Sequence, residues 1–183
     1  INKFRGDPSL FESGIDEIKN RTKWHFLGMI PFYNNISKLP AEDSHDLDKI
    51  LYNHSKPEAT LNIGIPILSK ISNFDDIDPL RIQKNINLHY IRPGESFPKK
   101  LDIILLMGSK STITDLEDLK SNRWDEAINR HKKNNGIIIG LCGGYQMLGQ
   151  TIGDPTKLES NKEIIKGLGL LNVETKIRQK KIV

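Results

Sequence analysis

Apolar and polar residues alternate in a regular order from residue 61 onward. Short apolar stretches at residues 61–68, 86–91 and 101–106 have the length and alternation of β-strands. Residues 111–119 and 124–133 carry apolar positions at helical spacing, and each of these segments follows a strand or precedes one. Strands that alternate with helices predict a doubly wound, mostly parallel α/β sheet, with its site at the carboxyl ends of the strands.

The first part of the chain has a weaker pattern. Residues 8–22 have apolar positions at near-helical spacing, and residues 24–31 are apolar enough to predict a strand. Residues 53–60 are polar and contain a proline, as expected for an interdomain connection. We therefore predict an incomplete domain at residues 1–52, a linker at 53–60 and a second domain at 61–183.

A run of three isoleucines precedes an abrupt change of direction. Residues 137–139 predict a short strand that is buried on both faces. Gly140-Leu141-Cys142-Gly143-Gly144 then predicts a tight turn, and the residues from Tyr145 can open a helix. Strand, turn and helix in this order form a nucleophile elbow, with Cys142 raised at the corner.

The residue types around Cys142 fit a reactive thiol. Gly140 and Gly144 relieve crowding at a strained turn, and free N–H groups at a helix start favour a thiolate. The N–H of Gly143 points to where an oxyanion would form. A lone cysteine is more commonly a small buried apolar residue. The flanking glycines, strand and helix together favour a nucleophile.

Composition narrows the class of protein. The 183 residues are 37% hydrophobic and 27% charged, as in globular proteins, and the net charge is +4. Basic runs at residues 131–133 and 176–181 contain no aromatics, so we expect solvated surfaces and no nucleic-acid partner. No apolar run has the length of a membrane span, and the single cysteine suits a reducing compartment. We expect a cytoplasmic protein without a membrane partner.

Two possible ligand sites are set aside. Asp75, Asp76 and Asp78 lie beside Asn73 and Pro79 without a histidine, a pattern typical of capping and turning residues, so we expect no metal there. The chain also contains no Gly-x-x-x-x-Gly-Lys-Ser/Thr phosphate loop. Any ATP site would have to be completed by residues outside it.

Four stretches carry a resemblance to a known family. Residues 140–149, Gly-Leu-Cys-Gly-Gly-Tyr-Gln-Met-Leu-Gly, resemble the nucleophile motif of the class I glutamine amidotransferases, in the cobyric acid synthase branch. Residues 2–7 (Asn-Lys-Phe-Arg-Gly-Asp), 71–80 (Ile-Ser-Asn-Phe-Asp-Asp-Ile-Asp-Pro-Leu) and 108–112 (Gly-Ser-Lys-Ser-Thr) agree in the same order. The match spans nearly the whole chain.

The resemblance implies a fold and a set of site residues. It implies a flavodoxin-like amidotransferase domain, preceded by the C-terminal piece of a P-loop, dethiobiotin-synthetase-like domain. Cys142 would attack glutamine, with the oxyanion held by the Gly143 N–H and the loop at Gly108 and Ser109, and Gln146 would contact the substrate. A proline usually precedes the glycine of this loop. Met107 stands there instead, which leaves the choice between Ser109 and Gly108 open.

The resemblance also implies a reaction for the full family protein. Ammonia from glutamine would amidate a corrinoid acceptor, cobyrinic acid a,c-diamide, with ATP and Mg²⁺, in cobalamin biosynthesis. The family's catalytic histidine follows the cysteine, whereas His25, His45, His54, His89 and His131 all precede Cys142. We expect the base beyond Val183 and an isolated chain without turnover. The alternatives are a non-catalytic interaction module and the cobyrinic acid a,c-diamide synthase branch.

Overall fold

The computed structural model describes residues 1–32 and 56–178. The chain divides into two compact units, Ile1–Ala41 and Glu42–Val183. The predicted linker at 53–60 lies partly outside the described residues, and the predicted domain boundaries stay predictions.

The described part of the first unit, residues 1–32, contains one α-helix. A 3-10 turn at Pro8–Phe11 leads into helix α1 (Glu12–Thr22), as the spacing predicts. The turn begins at Asp7, whose carboxylate accepts a hydrogen bond from the Ser9 N–H at 2.9 Å. The strand predicted at 24–31 is wrong. Within residues 1–32 the segment makes backbone hydrogen bonds to Ile1 and Phe4, and these give only an isolated bridge between Phe4 and Pro31. Leu27 is 99% exposed.

The second unit contains the sheet and helices that the alternation predicts. The strands are β1 (Leu61–Pro66), β2 (Ile71–Ser72), β3 (Ile86–Ile91), β4 (Ile103–Leu106), β5 (Gly108–Ser109), β6 (Ile137–Gly140), β7 (Thr151–Gly153), β8 (Ile164–Lys166) and β9 (Glu174–Lys176). The helices are α2 (Asp78–Arg81), α3 (Thr112–Ser121), α4 (Trp124–Lys133) and α5 (Gly143–Met147), and a 3-10 turn at Phe74–Ile77 precedes α2.

Four strands form the central sheet in the order β3-β1-β4-β6. All three pairings are parallel, and Ile104 in β4 lies level with Gly64 in β1 and Ile138 in β6. Since parallel strands end at the same edge, the segments that follow β1, β4 and β6 come together there. The predicted mostly parallel α/β sheet is confirmed.

Apolar residues cover the sheet on both faces. Neighbouring residues of β4 belong to different clusters: Ile104 packs with α3 and α4, and Leu105 packs with residues of β1 and β3. Side chains of successive strand residues point to opposite faces, so each cluster fills one face. The fully buried apolar side chains of α3 and α4 are Ile113, Leu116, Leu119, Trp124 and Ile128.

Strand β6 differs from its prediction. The three isoleucines predict a strand buried on both faces, but Ile137 is 56% exposed and Ile139 is 40% exposed. Ile138, between them, packs against the core. The reason is that β6 lies at an edge of the central sheet and only one of its faces is covered within residues 56–178.

Two smaller sheets are also present within residues 56–178. Strands β2 and β5 pair antiparallel. Strand β7 pairs antiparallel with β8 and parallel with β9. Throughout the described ranges, every helix is too short or too polar to cross a membrane.

Candidate active site

Cys142 lies at a strained corner between strand and helix. Strand β6 ends at Gly140, α5 begins at Gly143, and Cys142 between them has φ 48° and ψ −109°. This backbone conformation is uncommon for a residue with a side chain and tends to persist where the surroundings enforce it. Cys142 is exposed. The predicted strand, turn and helix are present, and the thiol is accessible at the turn.

Two glycines allow the corner to form. A Cβ on Gly144 would lie 2.2 Å from the carbonyl oxygen of Leu106, the last residue of β4. A Cβ on Gly140 would lie 2.6 Å from the carbonyl oxygen of Gly144. Both distances are far below van der Waals contact, and the atoms that would be met belong to the backbone. The elbow therefore packs directly on the end of β4.

The loop after β4 lies against the elbow. A Cβ on Gly143 would lie 2.9 Å from the Ser109 nitrogen, and a Cβ on Gly108 would lie 3.8 Å from the Cβ of Cys142. In the antiparallel pair of β2 and β5, Ile71 lies opposite Ser109. The Lys110 N–H donates to the Lys70 carbonyl at 2.8 Å. Because bonded and non-bonded pairs alternate in such a ladder, the Ser109 N–H points away from β2.

Gln146 lies one helical turn after Cys142. Its N–H donates to the Cys142 carbonyl at 3.2 Å. Its side-chain oxygen accepts a hydrogen bond of 2.9 Å from the Thr112 hydroxyl, and Thr112 is only 3% exposed. With the oxygen held in this way, the amide N–H₂ group of Gln146 remains available as a donor.

A buried aspartate holds the next loop beside this pair. Asp154 accepts hydrogen bonds from the N–H groups of Leu158 (2.9 Å), Glu159 (2.8 Å) and Ser160 (3.2 Å). Burial alone would raise the pKa of the Asp154 carboxyl, but these N–H groups outweigh it and lower the pKa. The Ile113 N–H, at the start of α3, donates to Glu159 at 3.3 Å.

Asp115 is a second buried carboxylate near the site. Its Oδ1 accepts a hydrogen bond of 2.7 Å from the Lys70 N–H and one of 3.3 Å from the Ser69 hydroxyl. Burial raises the pKa of this carboxyl group. Hydrogen bonds from Ser109, Lys70 and Ser69 oppose that shift, and the nearby Asp118 charge adds to it.

Sequence reasoning placed three of these residues only in local roles. Thr112 and Asp115 belong to what reads as an ordinary helix start, and Asp154 to a turn. Thr112 also closes the stretch 108–112 that carries the family resemblance. The partners of Thr112 and Asp115 are distant in the sequence, whereas those of Asp154 follow it by four to six residues.

His89 and His131, the described histidines of the second unit, lie far from Cys142. His131 contacts the Ile137 carbonyl at 3.2 Å, at the start of β6, and Cys142 follows five residues later, roughly 15 Å away. His89 lies level with Ile138 but three strands away, about 14 Å across the sheet. His25 belongs to the first unit, and His45 and His54 lie outside the described residues.

The predicted capping role of the aspartates after β2 is wrong, because the N-cap residues are Asn73 for the 3-10 turn and Ile77 for α2, and neither start has a side-chain capping hydrogen bond. Asp78 forms an ion pair of 3.0 Å with Arg81, and Asp75 and Asp76 lie in the first turn of the 3-10 segment. Within residues 1–32 and 56–178, no group of three or more His, Cys, Asp and Glu side chains could hold a metal ion.

Comparison with known proteins identifies the family. Residues 62–183 match the family model of the CobB/CobQ-like glutamine amidotransferase domain. The chain belongs to this family. The matched residues include the elbow, the loop at Gly108 and Ser109, and Gln146. The matched range contains the central sheet apart from its first residue, Leu61.

Curated relatives extend the similarity to the first unit. The chain is 43% identical over 183 residues to a cobyric acid synthase of Rhizobium meliloti (strain 1021), and 45% identical over the same length to one of Rhizobium etli (strain CIAT 652). It is 44% identical over 181 residues to a cobyric acid synthase of Novosphingobium aromaticivorans. These matches cover 99–100% of the chain but only 36–37% of each relative.

Replacing Gly144 by alanine is expected to destabilise the second unit by about 1–3 kcal/mol, because the new methyl group would meet the Leu106 carbonyl. Gly153→Ala is the matched control, since its nearest atom would be 3.7 Å away. Urea unfolding, followed by the fluorescence of buried Trp124, measures the free energy of unfolding of both variants. Equal stabilities of the two variants would contradict the packing of the elbow on β4.

The raised pKa of Asp115 predicts a pH-dependent stability. The folded chain holds the Asp115 proton more tightly than the unfolded chain, whose pKa is near 3.8. The contribution of this group to stability is therefore complete below that pH and is lost as the pH rises through the folded pKa. In thermal unfolding between pH 3 and 7, the stability of Asp115→Asn relative to that of wild type should increase as the pH rises. Asp76→Asn, at an exposed carboxyl group on another segment, is the control, and a pH-independent difference for Asp115→Asn would contradict the assignment.

Proposed function

We propose that this chain provides a glutaminase site in which Cys142 cleaves the side-chain amide of glutamine. The observation that carries the proposal is the exposed Cys142 at a strained elbow, with the backbone of Gly143 and Ser109 packed together beside it. A nucleophile and adjacent backbone N–H donors are what acyl transfer requires. Membership of the CobB/CobQ-like family supports glutamine as the substrate.

The proposed reaction has two stages. The Cys142 sulfur attacks the amide carbon, a C–S bond forms, and the carbonyl electron pair moves to oxygen as an oxyanion. When the carbonyl re-forms, the C–N bond breaks, and the nitrogen takes a proton and leaves as ammonia. Water then attacks the thioester, the C–S bond breaks, and glutamate and the free thiol are released.

The geometry favours Ser109 over Gly108 as the second oxyanion donor. The ladder with β2 directs the Gly108 N–H toward Ser72 and the Ser109 N–H toward the elbow. The Ser109 nitrogen also lies close to Gly143, the first proposed donor. Two N–H groups on the same side of the thiol can bind one developing oxyanion.

We assign Gln146 to substrate binding. Its side-chain oxygen is occupied by Thr112, which leaves N–H donors. Such donors suit an anionic or carbonyl oxygen of the substrate, such as the α-carboxylate of glutamine. The orientation of the Gln146 amide follows from the hydrogen-bond network.

The general base is expected outside the described residues. A cysteine nucleophile needs a base that accepts and returns a proton within hydrogen-bond reach. His89 and His131 are both too far from Cys142 for that role.

The relatives suggest an acceptor for the ammonia. Because they are named cobyric acid synthase, we propose that a longer protein containing this chain uses the ammonia for ATP-dependent amidation of a corrinoid, cobyrinic acid a,c-diamide. The chain has no phosphate-binding loop and its described residues form no metal site, so they do not fit ATP and Mg²⁺ by themselves. We also keep the proposal that residues 1–52 belong to a P-loop, dethiobiotin-synthetase-like domain.

A labelling experiment tests the glutaminase site. The glutamine mimic 6-diazo-5-oxo-L-norleucine should alkylate wild-type chain once, at Cys142, and excess glutamine should prevent this. Cys142→Ser should not be labelled. Iodoacetamide, which has no glutamine-like part, should label Cys142 with little protection by glutamine.

Labelling without glutamine protection would contradict the proposal. It would favour a non-catalytic interaction module, in which the elbow is present but forms no pocket for glutamine.

A further inference from the structure

We infer that Asp115 is a positioning residue that holds the loop at Gly108 and Ser109 in the arrangement needed for attack by Cys142. This inference rests on the proposed glutaminase function and adds a residue that has no contact with the substrate. Asp115 belongs to the first turn of α3 and is fully buried.

The first link runs from Asp115 to the segment after β1. Oδ1 of Asp115 accepts hydrogen bonds from the Lys70 N–H and the Ser69 hydroxyl, at 2.7 and 3.3 Å. These two residues directly precede β2, so the carboxylate fixes the start of that strand. A hydrogen bond from a backbone N–H to a buried carboxylate is stronger than one to a neutral acceptor.

The second link runs from that segment to the oxyanion loop. Lys70 uses its carbonyl to accept the Lys110 N–H at 2.8 Å, and Ile71 and Ser72 lie opposite Ser109 and Gly108 in the short ladder. This ladder has only two residues on each strand, which gives little stability by itself. The side-chain contact from Asp115 holds the start of β2 in addition to the packing of Ile71 on the apolar cluster of β1 and β3.

The third link involves the side chain of Ser109 itself. The Ser109 Oγ accepts the Ser111 N–H at 3.1 Å, so the hydroxyl proton is free to be donated. Oδ2 of Asp115 is buried and has no hydrogen-bond partner within ordinary geometric limits in the part of the chain that the structure describes. Burial raises the pKa of this carboxyl group, and a hydrogen bond from the Ser109 side chain opposes that rise.

A role in the helix alone would not account for this arrangement. An acidic residue in the first turn stabilises a helix from an exposed position, by its charge. Asp115 is instead buried and directed to Ser69 and Lys70. Burying a carboxyl group is unfavourable unless its hydrogen bonds compensate, and here they come from Ser69 and Lys70, which precede the strand paired with the loop at Gly108 and Ser109.

The test compares Asp115→Ala, Asp115→Asn and the control Asp118→Ala on the same helix. For each, the saturation constant and the maximal rate of Cys142 alkylation by 6-diazo-5-oxo-L-norleucine are measured, together with the rate of alkylation by iodoacetamide. Asp115→Ala should lower the maximal rate between about tenfold and a hundredfold, as expected for a displaced catalytic group. Its saturation constant and iodoacetamide rate should stay close to those of wild type.

Asp115→Asn should recover most of the rate, because its Oδ1 can still accept from Lys70 and its amide can donate to the Ser109 oxygen. Asp118→Ala should match wild type. A maximal rate for Asp115→Ala equal to that of wild type would overturn the inference, and so would equal losses in both Asp115 variants and the control. If wild type shows no glutamine-protected labelling, the proposed function fails instead.

Amide hydrogen exchange tests the loop without labelling. Asp115→Ala should speed exchange at Lys70 and Lys110 relative to wild type, whereas exchange in β1 should be unchanged. Unaltered exchange at Lys110 would overturn the inference whatever the labelling shows.

Discussion

The close approach of the elbow to the end of β4 is the constraint on which the rest of the site depends. Gly144 packs against the Leu106 carbonyl with no room for a side chain. This contact restricts how the chain can turn. The strained backbone conformation lies at Cys142, whose φ is positive. The thiol is thereby presented to solvent at the top of the sheet. A flexible loop would hold a cysteine at similar exposure, but without a defined direction of attack.

The parallel sheet brings the other components to the same edge. Strands β1, β4 and β6 are neighbours, so the segment at Lys70, the loop at Ser109 and the elbow meet although they are far apart in the sequence. Asp115 then ties the first of these to the second. The proposed site is thus a property of strand order and register, and its polar contacts adjust the loops that the sheet has already placed together.

Sequence reasoning succeeded where the pattern was local. Strand β3 and helix α4 have the bounds that their apolar spacing predicts. The strand predicted at 24–31 was wrong because apolar residues cannot reveal whether a partner strand is present. The burial of β6 was overpredicted for the same reason: residue type does not show that a strand lies at an edge. The elbow was visible because its glycines, strand and cysteine are contiguous. The contacts of Asp115 and Thr112 span long separations, and those of Asp154 lie within one irregular loop, so neither kind follows from a periodic pattern.

The most direct measurement is a crystal structure of the chain with L-glutamic acid γ-semialdehyde, an aldehyde that forms a thiohemiacetal with a reactive cysteine. Its oxygen would occupy the place of the oxyanion. The account predicts a bond from carbon to the Cys142 sulfur and an oxygen about 2.7–3.1 Å from the nitrogens of both Gly143 and Ser109. An adduct whose oxygen points to solvent, or toward Gly108 with Ser109 turned away, would contradict it.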